Sequence, residues 1–97
     1  MYDIRYTEGA LDDVQWFRKH DQNIILDGIE RQLRHEPASE TRNRKRLRPN
    51  DVAEWELRIG DFRVLYNIDE QTLIVEVQRI GEKRGNAFLF RGRQTDV

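Results

Sequence analysis

The residues best equipped for chemistry in this chain of 97 are its lysines and arginines, 17 in all, and they are unevenly spread. Residues 42–48, RNRKRLR, hold five bases and no acid. Residues 79–93 add Arg79, Lys83, Arg84, Arg91 and Arg93 against Glu82 alone, whereas residues 1–36 carry eight acids and five bases. A guanidinium is planar, permanently charged and offers a fork of donors that matches two phosphate oxygens. The net charge of −1 says little by itself. Two basic segments folded onto one face can nevertheless present that face to a polyanion. For a basic run alone, a solvated charged surface is an equally good reading.

Other chemistries are thinly supplied. The chain has no cysteine and two histidines, His20 and His35. Disulfides, thiolate nucleophiles and cysteine-ligated metals are therefore excluded, and a histidine-rich metal site is not expected. Neither a metal nor a small-molecule cofactor is expected. Arginine, with a pKa above ~12, is a poor general base at neutral pH, so no acid–base pair stands out. The start, MYDIRYTEGA, is polar, and no run approaches the ~20 apolar residues needed to cross a bilayer. A soluble cytoplasmic chain with no membrane contact is expected.

The elements that must position these cations follow from the apolar spacing. Residues 2–6, YDIRY, alternate as a short strand, and Thr7 can cap the helix that follows. Ala10, Leu11, Val14 and Phe17 have helical spacing, with Trp16 widening the stripe. HDQN at 20–23 predicts a break with Asp21 as the next cap. Ile24, Ile25, Gly28, Ile29, Gln32 and Leu33 then give a second amphipathic helix, ended by Pro37. Gly28 in a helix interior costs roughly 1 kcal/mol against alanine, a cost consistent with close approach of the two helices. Residues 37–53 read as a long loop in which Leu47 can anchor a short edge strand.

Three alternating runs come next: WELRI (55–59), FRVLYNI (62–68) and LIVEVQRI (73–80), joined by turns at Gly60-Asp61 and at 69–72. Arg63 falls on the strand face opposite Phe62, Val64 and Tyr66. Its plainer reading is an ion pair across the sheet with Glu54, Glu56 or Glu76. Trp16, Phe17, Trp55, Phe62 and Tyr66 have core spacing, whereas Phe88 and Phe90 are the better candidates for stacking on a base. The order β-α-α-β-β-β predicts a single α+β domain over residues 1–97. In it an antiparallel sheet packs against an N-terminal helical hairpin, with a short C-terminal extension.

The ordered pieces Arg58-Ile59-Gly60-Asp61, Phe62-Arg63-Val64-Leu65-Tyr66, Asp69-Glu70, and Ile80-Gly81 followed by Lys83-Arg84 resemble the RelE/ParE toxin superfamily. Lys45-Arg46-Leu47-Arg48 is similar to the family's Lys-Leu-Arg/Lys segment, and the resemblance spans about residues 1–88. It implies a type II toxin with a cognate antitoxin as partner. RelE-like members cut mRNA in the ribosomal A site and ParE-like members poison DNA gyrase; a shared fold does not choose between them.

For a nuclease, the resemblance implies phosphate stabilisation by Arg63 and Arg84, with Lys83 as the alternative to Arg84. Arg44, Lys45, Arg46 and Arg48 would hold the RNA backbone. Two departures stand against this. The nucleases' strand lysines fall closest to Glu54 and Glu56, and their C-terminal tyrosine falls among Phe88, Leu89 and Phe90. A gyrase inhibitor and a non-catalytic module that binds RNA or antitoxin therefore remain as alternatives.

Overall fold

A computed structural model describes residues 1–95. Asp96 and Val97, the end of the expected domain, lie outside the described residues. Strand β1 (Asp3–Tyr6) runs into helix α1 (Glu8–Trp16) through Thr7. The Thr7 hydroxyl accepts from the Ala10 amide at 3.1 Å, as the cap expectation required, and donates to the Gln78 carbonyl at 2.8 Å. One side chain thus starts the helix and ties it to the sheet. Ala10, Val14 and Phe17 are buried, but Leu11 and Trp16 lie outside the stripe, Trp16 being 50% exposed.

The break between helices comes earlier than HDQN suggests. Phe17 and Arg18 are extended, and helix α2 (Lys19–Leu33) begins directly after them. Arg18 takes the cap position without a side-chain cap bond. Asp21 lies inside the first turn, where its charge complements the helix dipole. The Gln22 side-chain amide closes the corner by donating to the Phe17 carbonyl at 2.8 Å. Ile25, Ile29 and Leu33 are buried. The close approach at Gly28 is to the sheet, not to the other helix: a Cβ there would stand 2.6 Å from Ile59 Cδ1.

Five strands form the main path of the sheet after a short edge strand. They are β3 (Trp55–Ile59), β4 (Phe62–Asp69), β5 (Ile74–Arg84), β6 (Ala87–Phe90) and β7 (Arg93–Gln94), with β2 (Arg44–Arg46) outside β3. The meander β3–β4–β5 is antiparallel as predicted, while β1 lies parallel to β5, Asp3 opposite Ile74. A bulge interrupts β4–β5: Leu65 pairs with Arg79 and Tyr66 with Val77, leaving Gln78 over. Its carbonyl is the one held by Thr7. The third strand starts at Ile74, because Leu73 takes a left-handed turn conformation (φ 57°), and it continues through Lys83 and Arg84. The C-terminal extension is not a tail; it adds β6 and β7 through two-residue turns.

Both faces of the sheet are covered. The helices pack on a core that includes Leu57, Val64, Tyr66, Val75, Val77 and Ile80. The other face carries a second cluster of Ala53, Leu65 and Phe90, with Leu47, Val52 and Phe88 against it. Loop 47–53 and β6 therefore close over a face that alternation alone leaves open to water.

Candidate nucleic-acid interface

Strand alternation divides the basic run between the two faces. Arg44 and Arg46 stand opposite Leu57 and Trp55, on the helix side, and Lys45 stands opposite Glu56 on the other side. The Arg44 guanidinium is committed to the fold. Its Nη1 donates to the Gln32 carbonyl at 2.8 Å and to Gln32 Oε1 at 3.1 Å, and its Nε donates to the Ser39 carbonyl at 3.0 Å. It caps the last turn of α2, where carbonyls otherwise lack donors. The Arg46 guanidinium lies over the Trp55 ring, 5.4 Å from its centroid, and 3.4 Å from Glu54.

Lys45 and Arg48 from the first basic segment and Lys83 from the second meet around one open groove of about 630 Å³. Glu56 and Phe88 also line it, with Asn50, Asn86 and Gln94, and Arg46 borders it at the strand edge. The expected stacking pair is split: Phe88 lines the groove, while Phe90 is buried with the Arg79 guanidinium 4.4 Å from its ring centroid. Among the expected core aromatics, Phe17, Trp55 and Tyr66 are buried and Phe62 packs against the same core.

Arg63 does not project outward. It is 9% exposed, because the second cluster covers the middle of its face. Its Nη1 donates to the Gly60 and Phe62 carbonyls at 2.7 and 2.9 Å. Its Nε lies 3.4 Å from Glu56 Oε1, the cross-sheet ion pair of the plainer reading. Burial lowers the Arg63 pKa, and the charge of Glu56 opposes that shift. Glu56 is itself 3% exposed, and Arg58 Nε lies 3.5 Å from the same oxygen. Arg84 does not converge with Arg63. Glu82 and Arg84 alternate with Gly81 and Lys83, so Arg84 turns to the helix side. There it is 71% exposed, 3.5 Å from Glu82, and rims a separate hollow with Trp16, Phe17 and Arg18. Of the two basic residues ending β5, Lys83 is the one at the groove.

The family model for the ParE toxin of the type II toxin–antitoxin system parDE matches residues 4–87. The chain belongs to the RelE/ParE toxin superfamily. The toxin–antitoxin complex RelBE2 from Mycobacterium tuberculosis contains a chain of the same fold, with TM-score 0.68 and 24% identity, covering 84% of this chain and 98% of that one. The archaeal RelE–RelB complex from Pyrococcus horikoshii OT3 gives TM-score 0.68 at 19% identity, covering 89% and 98%. The isolated E. coli RelE toxin gives 0.66 at 16% identity, covering 87% and 86%. Among curated proteins none matches significantly.

Two acids organise this RelE/ParE toxin without having stood out among the candidate residues. Asp13 is 0% exposed. It accepts from Arg79 Nε and Nη2 at 2.7 and 3.1 Å, from the Ile80 amide at 2.9 Å and from Arg91 Nε at 3.0 Å. The bond from Arg79 raises that guanidinium's pKa. Arg91 has a left-handed backbone (φ 49°), and a Cβ on Gly92 would stand 3.2 Å from Trp16. The β6–β7 hairpin, which carries Phe88 and Gln94 into the groove wall, is thus pinned to α1. The signal for Asp13 was its place inside the helical stripe, three residues after Ala10 and four before Phe17. Glu56 is the second acid, buried where it lines the groove. Chemically, the groove offers ammonium and guanidinium groups for a phosphodiester backbone and one carboxylate at its floor. Among the described residues no helix is long and apolar enough to cross a membrane.

Proposed function

We propose that this toxin inhibits translation by cutting messenger RNA in the ribosomal A site, and that a cognate antitoxin neutralises it. The observation that carries the reading is the meeting of Lys45, Arg48 and Lys83 around one groove with Phe88 in its wall. Cations rimming a groove track a phosphate backbone, and an accessible aromatic ring offers a base somewhere to stack. In the reaction the 2′-oxygen attacks the adjacent phosphorus and gives its proton to solvent. The 5′-oxygen leaves with a proton from the Lys83 ammonium, so the products are a 2′,3′-cyclic phosphate and a 5′-hydroxyl. Arg48 stabilises the extra negative charge on the phosphate. With no strong base in the groove, rate comes from electrostatic stabilisation and from the ribosome holding the message in an in-line geometry. Arg63 acts from below, through Glu56, and Arg84 takes no part.

The test is cleavage of a defined message on purified ribosomes, read by primer extension. Lys83→Ala and Arg48→Ala each lower the rate about a hundred-fold or more, the usual cost of one charge-stabilising donor. Arg84→Ala stays within a few-fold of the parent. The replaced lysine and tyrosine positions favour a second reading, a ParE-like gyrase inhibitor. A parent that leaves mRNA intact and blocks gyrase supercoiling establishes that reading instead. A parent that binds RNA without cutting it, and spares gyrase, is a non-catalytic module.

A further inference from the structure

The carboxylate at the floor of a cationic groove is out of place if the groove only tracks phosphates, because it repels them. Glu56 is almost wholly buried, yet Oε1 has no hydrogen-bond partner among the described residues, and neither has the Arg63 Nε beside it. Arg58 and Arg63 compensate its charge from 3.5 and 3.4 Å without binding it well. Lys45 is its direct cross-strand partner and points to the same side. Side chains so paired have Cβ atoms about 5 Å apart, so the exposed Lys45 rises from the groove beside the buried acceptor and its ammonium can reach the outer edge of a base seated there. Phe88 lines the same groove.

We infer that this corner is a base-reading pocket and that the base it selects is guanine, with Glu56 as the specificity-determining residue. The inference rests on the RNA reading proposed above. Single-stranded RNA is read on the exposed edges of unstacked bases while an aromatic ring holds the base face. Guanine presents two adjacent donors, N1–H and N2–H, followed by the O6 acceptor. The donors meet the Glu56 carboxylate and O6 meets the Lys45 ammonium. Adenine and cytosine set a ring-nitrogen acceptor against the carboxylate. Uracil offers N3–H but sets O2 where guanine has its amino group. Each mismatch leaves a buried acceptor facing another acceptor, which costs more than a bond merely absent. Lys83 and Arg48 remain free to follow the backbone on the rim.

The experiment is fluorescence anisotropy of the whole chain with labelled five-nucleotide RNAs, all adenine except a central guanine, inosine, uracil, cytosine or adenine. A 2′-O-methyl group on every sugar blocks cleavage. The guanine oligomer binds roughly ten-fold tighter than the all-adenine one, within the range of a good bidentate base contact. Inosine, which lacks the amino group, falls between them. Glu56→Gln, checked for folding by circular dichroism, brings guanine and adenine within two-fold while total binding keeps its salt dependence. The inosine comparison uses the parent protein and is immune to any folding defect of the variant. Equal binding of all five oligomers overturns the inference alone and leaves the nuclease reading standing. Binding of none of them, with no cleavage on ribosomes, removes both.

Discussion

Removing Asp13 tests whether one buried carboxylate fixes the C-terminal hairpin. Asp13→Ala leaves the Ile80 amide in the core without its acceptor, which costs ~1–3 kcal/mol. The two arginines lose less. Their side chains are 31% and 44% exposed, so water replaces part of what the carboxylate gave, and about 0.5–1 kcal/mol each is a fair allowance. The sum is roughly 3 kcal/mol, a large share of the ~5–15 kcal/mol that holds a domain of this size. With an m-value of about 1.5 kcal/mol per molar urea, the midpoint falls by about 2 M. Urea unfolding followed by circular dichroism measures this. Hydrogen exchange locates it, because the Thr95 amide, bonded to the Phe88 carbonyl across β6–β7, loses protection first. A midpoint lowered by less than ~0.5 M at unchanged m, with Thr95 protection intact, refutes the idea that Asp13 holds the hairpin.

Three other predictions follow from the geometry. Gly28→Ala gains helix propensity of about 1 kcal/mol but drives a methyl into the stiff, branched Ile59 side chain, so the net change is a loss; Gly28→Ala with Ile59→Val recovers it in thermal melts. Arg44→Ala lowers stability by ~1–2 kcal/mol through the lost bonds to α2 and leaves RNA affinity nearly unchanged, whereas Lys45→Ala does the reverse; filter binding and urea melts separate the two. The Asp69 pKa is held below the ordinary carboxylate value first by the Thr72 amide and hydroxyl and then by the Gln71 amide. A carboxylate depressed in the folded state stabilises fully above its unfolded pKa and loses that contribution as pH falls through the folded one. The stability gap between the parent and Asp69→Ala therefore closes on acidification below about pH 4, which parallel melts at several pH values detect.

The helical hairpin and the meander were legible because their apolar residues repeat at the helix and strand periods. The bulge was written there too: Val75 and Val77 keep a two-residue step, and Ile80 jumps by three, the extra residue being Gln78. The long loop and the extension were harder to read, since Leu47, Val52 and Phe90 reveal a second cluster only when β6 folds back over the sheet. That same cover buries Arg63, whose strand parity pointed to water. The basic run shows the limit most clearly. Arg44 and Lys45 look interchangeable in a string of cations, yet one residue of register sends the first to a helix terminus and the second to the groove. Asp13 was hidden for the opposite reason: its partners Arg79 and Arg91 lie far along the chain.

The parallel pairing of β1 with β5 has a consequence for synthesis. Asp3 is made long before its neighbour Ile74, with both helices and two strands of the meander in between. Until then the hairpin of α1 and α2 has an apolar face and no sheet to cover it, and short isolated helices are marginal in water. Contacts so distant in sequence also close slowly, because the entropy of the intervening loop is lost before they form. The groove needs Lys83 and Phe88, which are made later still. A ribosome making this protein therefore has to finish β5 before the sheet can cover the hairpin, and β6 before the groove has its wall.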